Sequence, residues 1–443
     1  MSEPPDSGSL HAQAAGRSRV LAWALWDTGS TGVFAIVTTF VFPVYLTDAV
    51  GAGMPGETSP TSWLGWALAG AGVVVAVLAP VTGIWVDAPW RRRRMLAALT
   101  GLAVLLTSAM VLVRDDHRYF WFGLVLLAAT AACTELATVP YNAMLRQLST
   151  PQTSGRISGF GWGMGYVGTV VLLLIIYFGF VSGDGDTRGL FGVPIADGQN
   201  IRAAMLLTAV WFALFAVPVI VAVPAPPPAP EVRREAVGFF DSYRKLWSEV
   251  VGEWHRDRNV VYYLLASAVF RDGLAGIFAF GAVLGVNVYG ISEADVLLFG
   301  VIASVVAAIG AVLGGLLDDR LGSKPVIVGS LAAMIVVGLT LTTLSGALMF
   351  WIFGLLLTLF VGPAQSAART MMLRLSAEGK EGVAFGLYTT TGRAVSFLAP
   401  TMFSTFIYLF GADRAGMGGL CVVLIAGLGA MLAVRVPRQA DLR

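Results

Sequence analysis

Charge is what this sequence has least of. Lys and Arg number 29 and Asp and Glu 27, so that 13% of the 443 residues are charged, against roughly 25% in an ordinary soluble chain. A water-soluble protein is excluded on that ground. Histidine is scarce, with only His11, His117 and His255, all outside the apolar runs; the two cysteines, Cys133 and Cys421, lie inside separate runs. Neither a metal site nor a disulfide framework is expected. The polar stretch from Met1 to Arg19 lacks the apolar core and small-residue cleavage site of a signal peptide, so the first membrane segment is expected to be retained. No Gly-x-x-x-x-Gly-Lys-Ser/Thr loop is present, which leaves ATP hydrolysis without support. Without an acid, base and nucleophile constellation, no enzyme and no cofactor are expected. A net charge of +2 is too small for a nucleic-acid binder. Period-two alternation is missing, which argues against a β-barrel.

What the sequence has is length and apolar runs, 56% of its residues being hydrophobic. Twelve runs fall at about 20–46, 62–87, 95–113, 119–145, 157–181, 202–224, 259–288, 294–317, 324–345, 348–372, 382–410 and 414–435. Each is long enough to cross a bilayer as a helix, the form that satisfies its own backbone groups in lipid. The domain reading is a tail at 1–19, a six-helix bundle at 20–224, a linker at 225–258, a second six-helix bundle at 259–435 and a tail at 436–443. In the linker, Pro224 to Pro228 is followed by apolar residues at helical spacing from Phe239 to Trp254, opposite Asp241, Arg244, Lys245, Ser248 and Glu249. That pattern predicts a helix lying in the membrane interface, in contact with lipid. With the N-terminus inside, 21 basic residues lie on the inner side, 5 outside and 3 (Arg271, Arg369 and Arg393) within helices. The positive-inside rule then puts both termini in the cytoplasm, and the inner (plasma) membrane is the expected location.

The halves look duplicated. Gly83-x-x-x-Asp87 with Arg91 and Arg92 follows the second run; Gly315-x-x-x-Asp319-Arg320-x-Gly322-x-Lys324 follows the eighth. Trp26-Asp27 and Phe270-Arg271-Asp272 stand at comparable places in the first and seventh. The paired short basic loops resemble the signature loops of the major facilitator superfamily, and as such are candidate gating loops. The first copy departs from that pattern, with Ala88-Pro89-Trp90 where a basic residue and a glycine are usual. Trp23-x-x-Trp26-Asp27, Phe40-x-Phe42-Pro43-x-Tyr45, Tyr141-Asn142-Ala143, the glycine-rich run from Gly155 to Tyr166, Asp272-Gly273, and Phe385-Gly386-Leu387-Tyr388 with Gly392-Arg393 are similar to the branch of that superfamily containing the autophagy-related vacuolar amino-acid effluxers and their bacterial homologues. The resemblance implies a central cavity lined mainly by helices 1, 4, 7 and 10, bundles that rock to alternate access, and solute transport. Two departures are Thr28-Gly29-Ser30 after the first aspartate, and Arg271 before Asp272 where an uncharged residue is usual.

Charges inside the helices cost about 2.5–3.5 kcal/mol each on insertion scales, so they are expected to face a cavity and find partners. Asp27 with Ser30, Thr31 and Phe34 forms one face of the first helix; an interfacial anchor is the rival reading. Glu135, Thr138, Asn142 and Arg146 form a stripe on the fourth, for which a structural polar ladder is the rival. Gln365 and Arg369 share a face of the tenth helix, and Thr389, Arg393 and Ser396 one of the eleventh. With Trp162, Arg271, Asp272 and Tyr388 these are the candidate substrate or coupling residues. The expectation is one wet pocket in which Arg393 or Arg369 holds a substrate carboxylate while Asp27, Glu135 or Asp272 exchanges a proton or another coupling ion. Gly163-Met-Gly165-Tyr-Val-Gly168 spells a dinucleotide-binding pattern, but inside a membrane helix it is read as accidental; the glycines at every fourth position predict flat packing faces instead. The function expected is proton-coupled efflux of a small organic solute. A transporter-fold sensor without net flux is the alternative.

Overall fold

The computed structural model describes residues 16–224, 243, 244, 248, 252 and 258–435. Most of the interfacial linker helix expected at 239–254 lies outside the described residues. The chain is an all-α polytopic membrane protein, and among the described residues twelve helices are long and apolar enough to span a bilayer. They are α1 (Arg17–Val50), α2 (Pro60–Val86), α3 (Pro89–Leu112), α4 (His117–Ala143), α5 (Ser154–Val181), α6 (Ala196–Ala222), α7 (Arg258–Asn287), α8 (Leu298–Leu321), α9 (Ser323–Thr343), α10 (Ala347–Leu375), α11 (Glu381–Phe410) and α12 (Ala415–Ala433). A hairpin of two-residue strands, β1 (Thr187–Arg188) and β2 (Val193–Pro194), decorates the α5–α6 loop.

Two boundaries change the reading of the basic loops. Pro89, fitted by its fixed φ to a first helical position, starts α3 six residues before the apolar run at 95, so Arg91 and Arg92 stand in its first turns. Likewise α8 runs on to Leu321, which places Asp319 and Arg320 on its last turn. Gly322, with φ of 90°, makes the sharp corner into α9.

The halves meet along two seams, α2 against α11 and α5 against α8. Small residues make that approach possible. A Cβ on Gly83 or Gly382 would fall under 3.0 Å from the other glycine's carbonyl oxygen; Gly155 and Gly315 stand in the same relation across the second seam. The two glycine stripes of α5 part company as the four-residue spacing predicts. Gly155, Gly159 and Gly163 face α8, while Gly161, Gly165 and Gly168 face Trp23, Thr28 and Thr31 of α1.

The close contacts of these seams gather toward one end of the bundle, the end that carries the basic turns. Among the described residues, the inter-half hydrogen bonds farthest from it come from Tyr166 and Arg393, each twelve residues in from the helix starts at Ser154 and Glu381, about 18 Å at 1.5 Å per residue. The basic end is sealed, and among the described residues no inter-half hydrogen bond ties the opposite end.

A bulky side chain on the seam should prevent sealing. Overpacking costs about 1–3 kcal/mol, roughly five- to hundredfold in the closed-to-open ratio. Gly83→Leu is expected to raise the maleimide labelling rate of a cysteine placed at buried Ser158, in a background lacking Cys133 and Cys421, by about that factor. Unchanged labelling would count against this packing.

Candidate functional site

The site is a set of charge pairs stacked along the interface. Nearest the basic end, Glu381 at the first turn of α11 is 1% exposed and receives two arginines from the other half. Arg92 Nη2 lies 2.8 Å from its Oε2 and Arg146 Nε 3.0 Å from its Oε1. Arg92 spends its other N–H groups on the carbonyls of Val86 and Ala143, and Arg146 reaches the carbonyls of Leu373 and Ser376. Pro89 makes this possible by drawing Arg92 into the helix and inward.

Two aspartates sit beside this cluster with matched roles. Asp87 Oδ1 accepts the backbone N–H of Val383 at 3.0 Å, at the N-terminus of α11; Asp319 accepts those of Gly155 and Arg156, at 2.7 and 3.1 Å, at the N-terminus of α5. Each half thus places an acid on the positive end of a helix in the other. Beside Asp319, Arg374 pairs with Asp318. Of the remaining basic-loop residues, Lys324 caps the end of α12 through the carbonyls of Leu432 and Val434, and Arg320 is exposed.

One layer deeper, Asp27 and Arg369 meet. Both guanidinium Nη atoms lie 3.2 Å from Asp27 Oδ2, which also accepts the Tyr141 hydroxyl at 2.8 Å. Trp23 and Trp26 stack on Tyr141 with centroids 4.5 and 4.3 Å apart, and Arg369 lies 5.0 Å from the Trp162 ring centroid. The Trp162 indole nitrogen and Asn142 Oδ1 are buried without hydrogen-bond partners among the described residues. Ser30 turns back to the Asp27 carbonyl. Asp27 and Arg369 are 8% and 5% exposed, so this pair is dry.

Glu135 and Arg393 form the third layer, as a two-pronged ion pair between α4 and α11. Their side chains remain 23% and 34% exposed and border a cavity of about 180 Å³ with Phe34, Thr38, Leu68 and Gly72. This cavity lies among α1, α2, α4 and α11, and does not touch α7 or α10. Gln365 accepts the Tyr166 hydroxyl at 2.7 Å, beyond this pair.

The expected single wet pocket is therefore divided. Arg369 and Arg393, expected to hold a substrate carboxylate, are already neutralised by Asp27 and Glu135. The acids and arginines appear unrelated in sequence because their partners come from opposite halves. Asp272 lies apart from both layers: its Oδ2 accepts the N–H of Ala399 at 2.5 Å, capping the second piece of a broken α11 (Glu381–Val395, then Leu398–Phe410). Arg271 lies 3.7 Å over the Tyr388 ring and donates to the Tyr388 carbonyl at 3.0 Å. Glu381 was not among the sequence candidates; an acid opening a helix reads as an ordinary N-terminal residue. Tyr141 stood only inside a motif.

Twelve helices in two related halves, joined by Gly-x-x-x-Asp turns that clasp opposite helices, define a major facilitator superfamily fold. Solved structures agree: a fucose transporter, FucP, in the outward conformation superposes with a TM-score of 0.71 at 12% identity, covering 95% of this chain and all of that one. A bacterial homologue of the iron transporter ferroportin in an outward-facing state gives 0.66 at 14% identity, covering 94% of this chain and 97% of that one. The profile of the family described as "Vacuole effluxer Atg22 like" matches residues 53–441. The chain belongs to that family and is an MFS-type transporter. An uncharacterized MFS-type transporter, YxiO, of Bacillus subtilis (strain 168) is 22% identical over 421 residues, 95% of each chain. Autophagy-related protein 22 of Cryptococcus neoformans var. neoformans serotype D (strain JEC21 / ATCC MYA-565) is 25% identical over 303 residues, 65% of this chain and 51% of that one. The chain thus aligns with about half the length of this fungal relative.

Asp87 lies between α2 and α3, and burial pushes its carboxyl up to about 6 despite Val383 N–H, Lys380 and Arg92; Glu381 adds to the rise. The sealed end holds that proton more tightly than water does, so Asp87 favours sealing as pH falls through about 6, an advantage complete below the ordinary 3.8. Asp87→Asn should therefore shift spin-label distances between Arg94→Cys and Glu378→Cys toward the sealed population at pH 7.5. The difference from the parent should shrink as pH falls below about 6 and vanish only below the ordinary 3.8. A constant difference across pH would refute this role for burial.

Proposed function

We propose that this chain is a proton-coupled secondary transporter that exports a small organic solute, such as an amino acid, across the bacterial inner membrane by alternating access. Its basic end and both termini face the cytoplasm. The four-to-one excess of basic residues on that side supports the orientation, and the sealed basic end then corresponds to an outward-open state.

The observation that carries the reading is the Glu135–Arg393 pair, which bridges the halves while bordering a cavity. A proton reaching Glu135 removes its charge and releases Arg393, so the pair is both contact and sensor. Magnitudes assign the layers different tasks. Swinging a two-state equilibrium from 1:99 to 99:1 takes about 5.5 kcal/mol, whereas a partly exposed pair contributes about 1 kcal/mol or less. Leaving one member of a buried pair uncompensated costs about 3–5 kcal/mol. Protonation of Glu135 alone is too small a push, and substrate must help to part Asp27 from Arg369. The membrane potential adds about 2.3 kcal/mol per charge per 100 mV.

Purified protein in liposomes with an imposed pH gradient and labelled amino acids tests the reading. The parent should show flux that follows the gradient. Glu135→Gln should lose most of the pH dependence, and Asp27→Asn should reduce turnover at least tenfold. Solute binding without flux under any gradient would instead make the chain a sensor on a transporter scaffold.

A further inference from the structure

We infer that Arg271 is the residue that recognises the solute, and that the solute is a carboxylate with an apolar body. Of the three arginines expected inside the helices, Arg369 and Arg393 face carboxylates from the other half. Among the described residues no carboxylate lies within ion-pair distance of Arg271, although it stands thirteen residues into the thirty-residue α7. A cation at that depth persists only where something offsets its charge. The Tyr388 ring covers one face of the guanidinium at 3.7 Å, and the Tyr388 carbonyl takes Nη1. This fixes the plane without spending Nε or Nη2. Neither of these is a buried orphan, and neither has a protein partner among the described residues. Together they form the side-on edge that a carboxylate takes with two parallel hydrogen bonds. Asp272, next in sequence, is turned about 100° around the helix and is engaged by the Ala399 N–H.

The surroundings supply the apolar part. Phe278 lies seven residues on, hence on the same face of α7, is 38% exposed, and meets Tyr166 of the other half with ring centroids 6.3 Å apart. Tyr166 is held by Gln365. A solute carboxylate on Arg271 with its apolar body toward Phe278 and Tyr166 would touch both halves, as alternating access requires. Gly392 leaves room for this placement, because a Cβ there would come 3.2 Å from Arg271 Nη1.

The inference rests on the carrier reading for its purpose, but its test is a binding measurement. Three probes of one shape are titrated against the purified full chain, with binding read by thermal stabilisation and tryptophan fluorescence: leucine, 4-methylpentanoate, which lacks the amine, and isoamylamine, which lacks the carboxylate. Leucine and 4-methylpentanoate should bind and isoamylamine should not. Arg271→Gln should weaken both carboxylates about 10- to 100-fold, the range for a charge-assisted pair. Arg271→Lys, which keeps the charge but loses the two-pronged edge, should weaken them about tenfold and serves if the glutamine variant fails to fold. An arginine that merely braces α7 on α11 would lower the unliganded melting temperature and leave the carboxylate preference unchanged; that result overturns the inference. So does failure of both carboxylates to bind the parent, or stabilisation by chloride alone. Proteoliposome flux separates the two readings: Arg271-dependent binding without flux removes the carrier and keeps the site, whereas flux of leucine with an unaltered KM in Arg271→Gln removes the site and keeps the carrier.

Discussion

Three acids at the interface are each met by an arginine from the opposite half. Asp27 has Arg369, Glu135 has Arg393, and Glu381 has Arg92 and Arg146. In a medium of low dielectric the pair is tolerable and the separated ions are not. Parting the halves would require water or a solute to replace each lost partner. Packing reinforces this. Glycine-to-glycine contacts at 83–382 and 155–315 allow close approach over a narrow range, and small separations forfeit much of it.

The approximate twofold symmetry distributes the load. Asp87 and Asp319, 232 positions apart in the chain, both accept backbone N–H groups at the start of a helix in the other half, α11 for one and α5 for the other. Symmetry stops at the deeper layers. Asp27 of α1 is met by α10 and Glu135 of α4 by α11, while the seventh helix, counterpart of the first, offers Arg271 and an aspartate turned inward to its own half. An asymmetric solute needs such inequality, since two identical walls give it no preferred orientation.

Much of the fold was legible in the sequence for a simple reason: lipid enforces long apolar helices and marks their ends with charge. The twelve runs, the paired Gly-x-x-x-Asp turns and the glycine stripes follow from composition and spacing. The site was legible as a set of residues but not as a set of partners. Asp27 and Arg369 are 342 positions apart, and nothing local in either helix names the other. Pro89 shows the opposite limit. Read only as part of a departure from the loop pattern, it starts a helix and carries Arg92 inward to Glu381. Glu381 itself was hidden because acids are common at helix starts.

The break in α11 joins these strands of the argument. Its first piece, Glu381–Val395, carries Glu381, Tyr388 and Arg393, and so takes part in the ion pairs at the basic end and beside the cavity. Its second piece begins at Leu398 and is tied to α7 by Asp272 through Ala399. Asp272 thus satisfies a backbone donor freed by the break, the condition under which a broken helix is tolerated within a membrane. With the second piece held to α7, the first can answer to its ion pairs. Arg271, adjacent to Asp272, rests on that first piece at Tyr388. One turn of α7 therefore contacts both pieces of the broken α11. A solute bound at Arg271 would act on α11 directly, the helix that also carries Arg393 against Glu135.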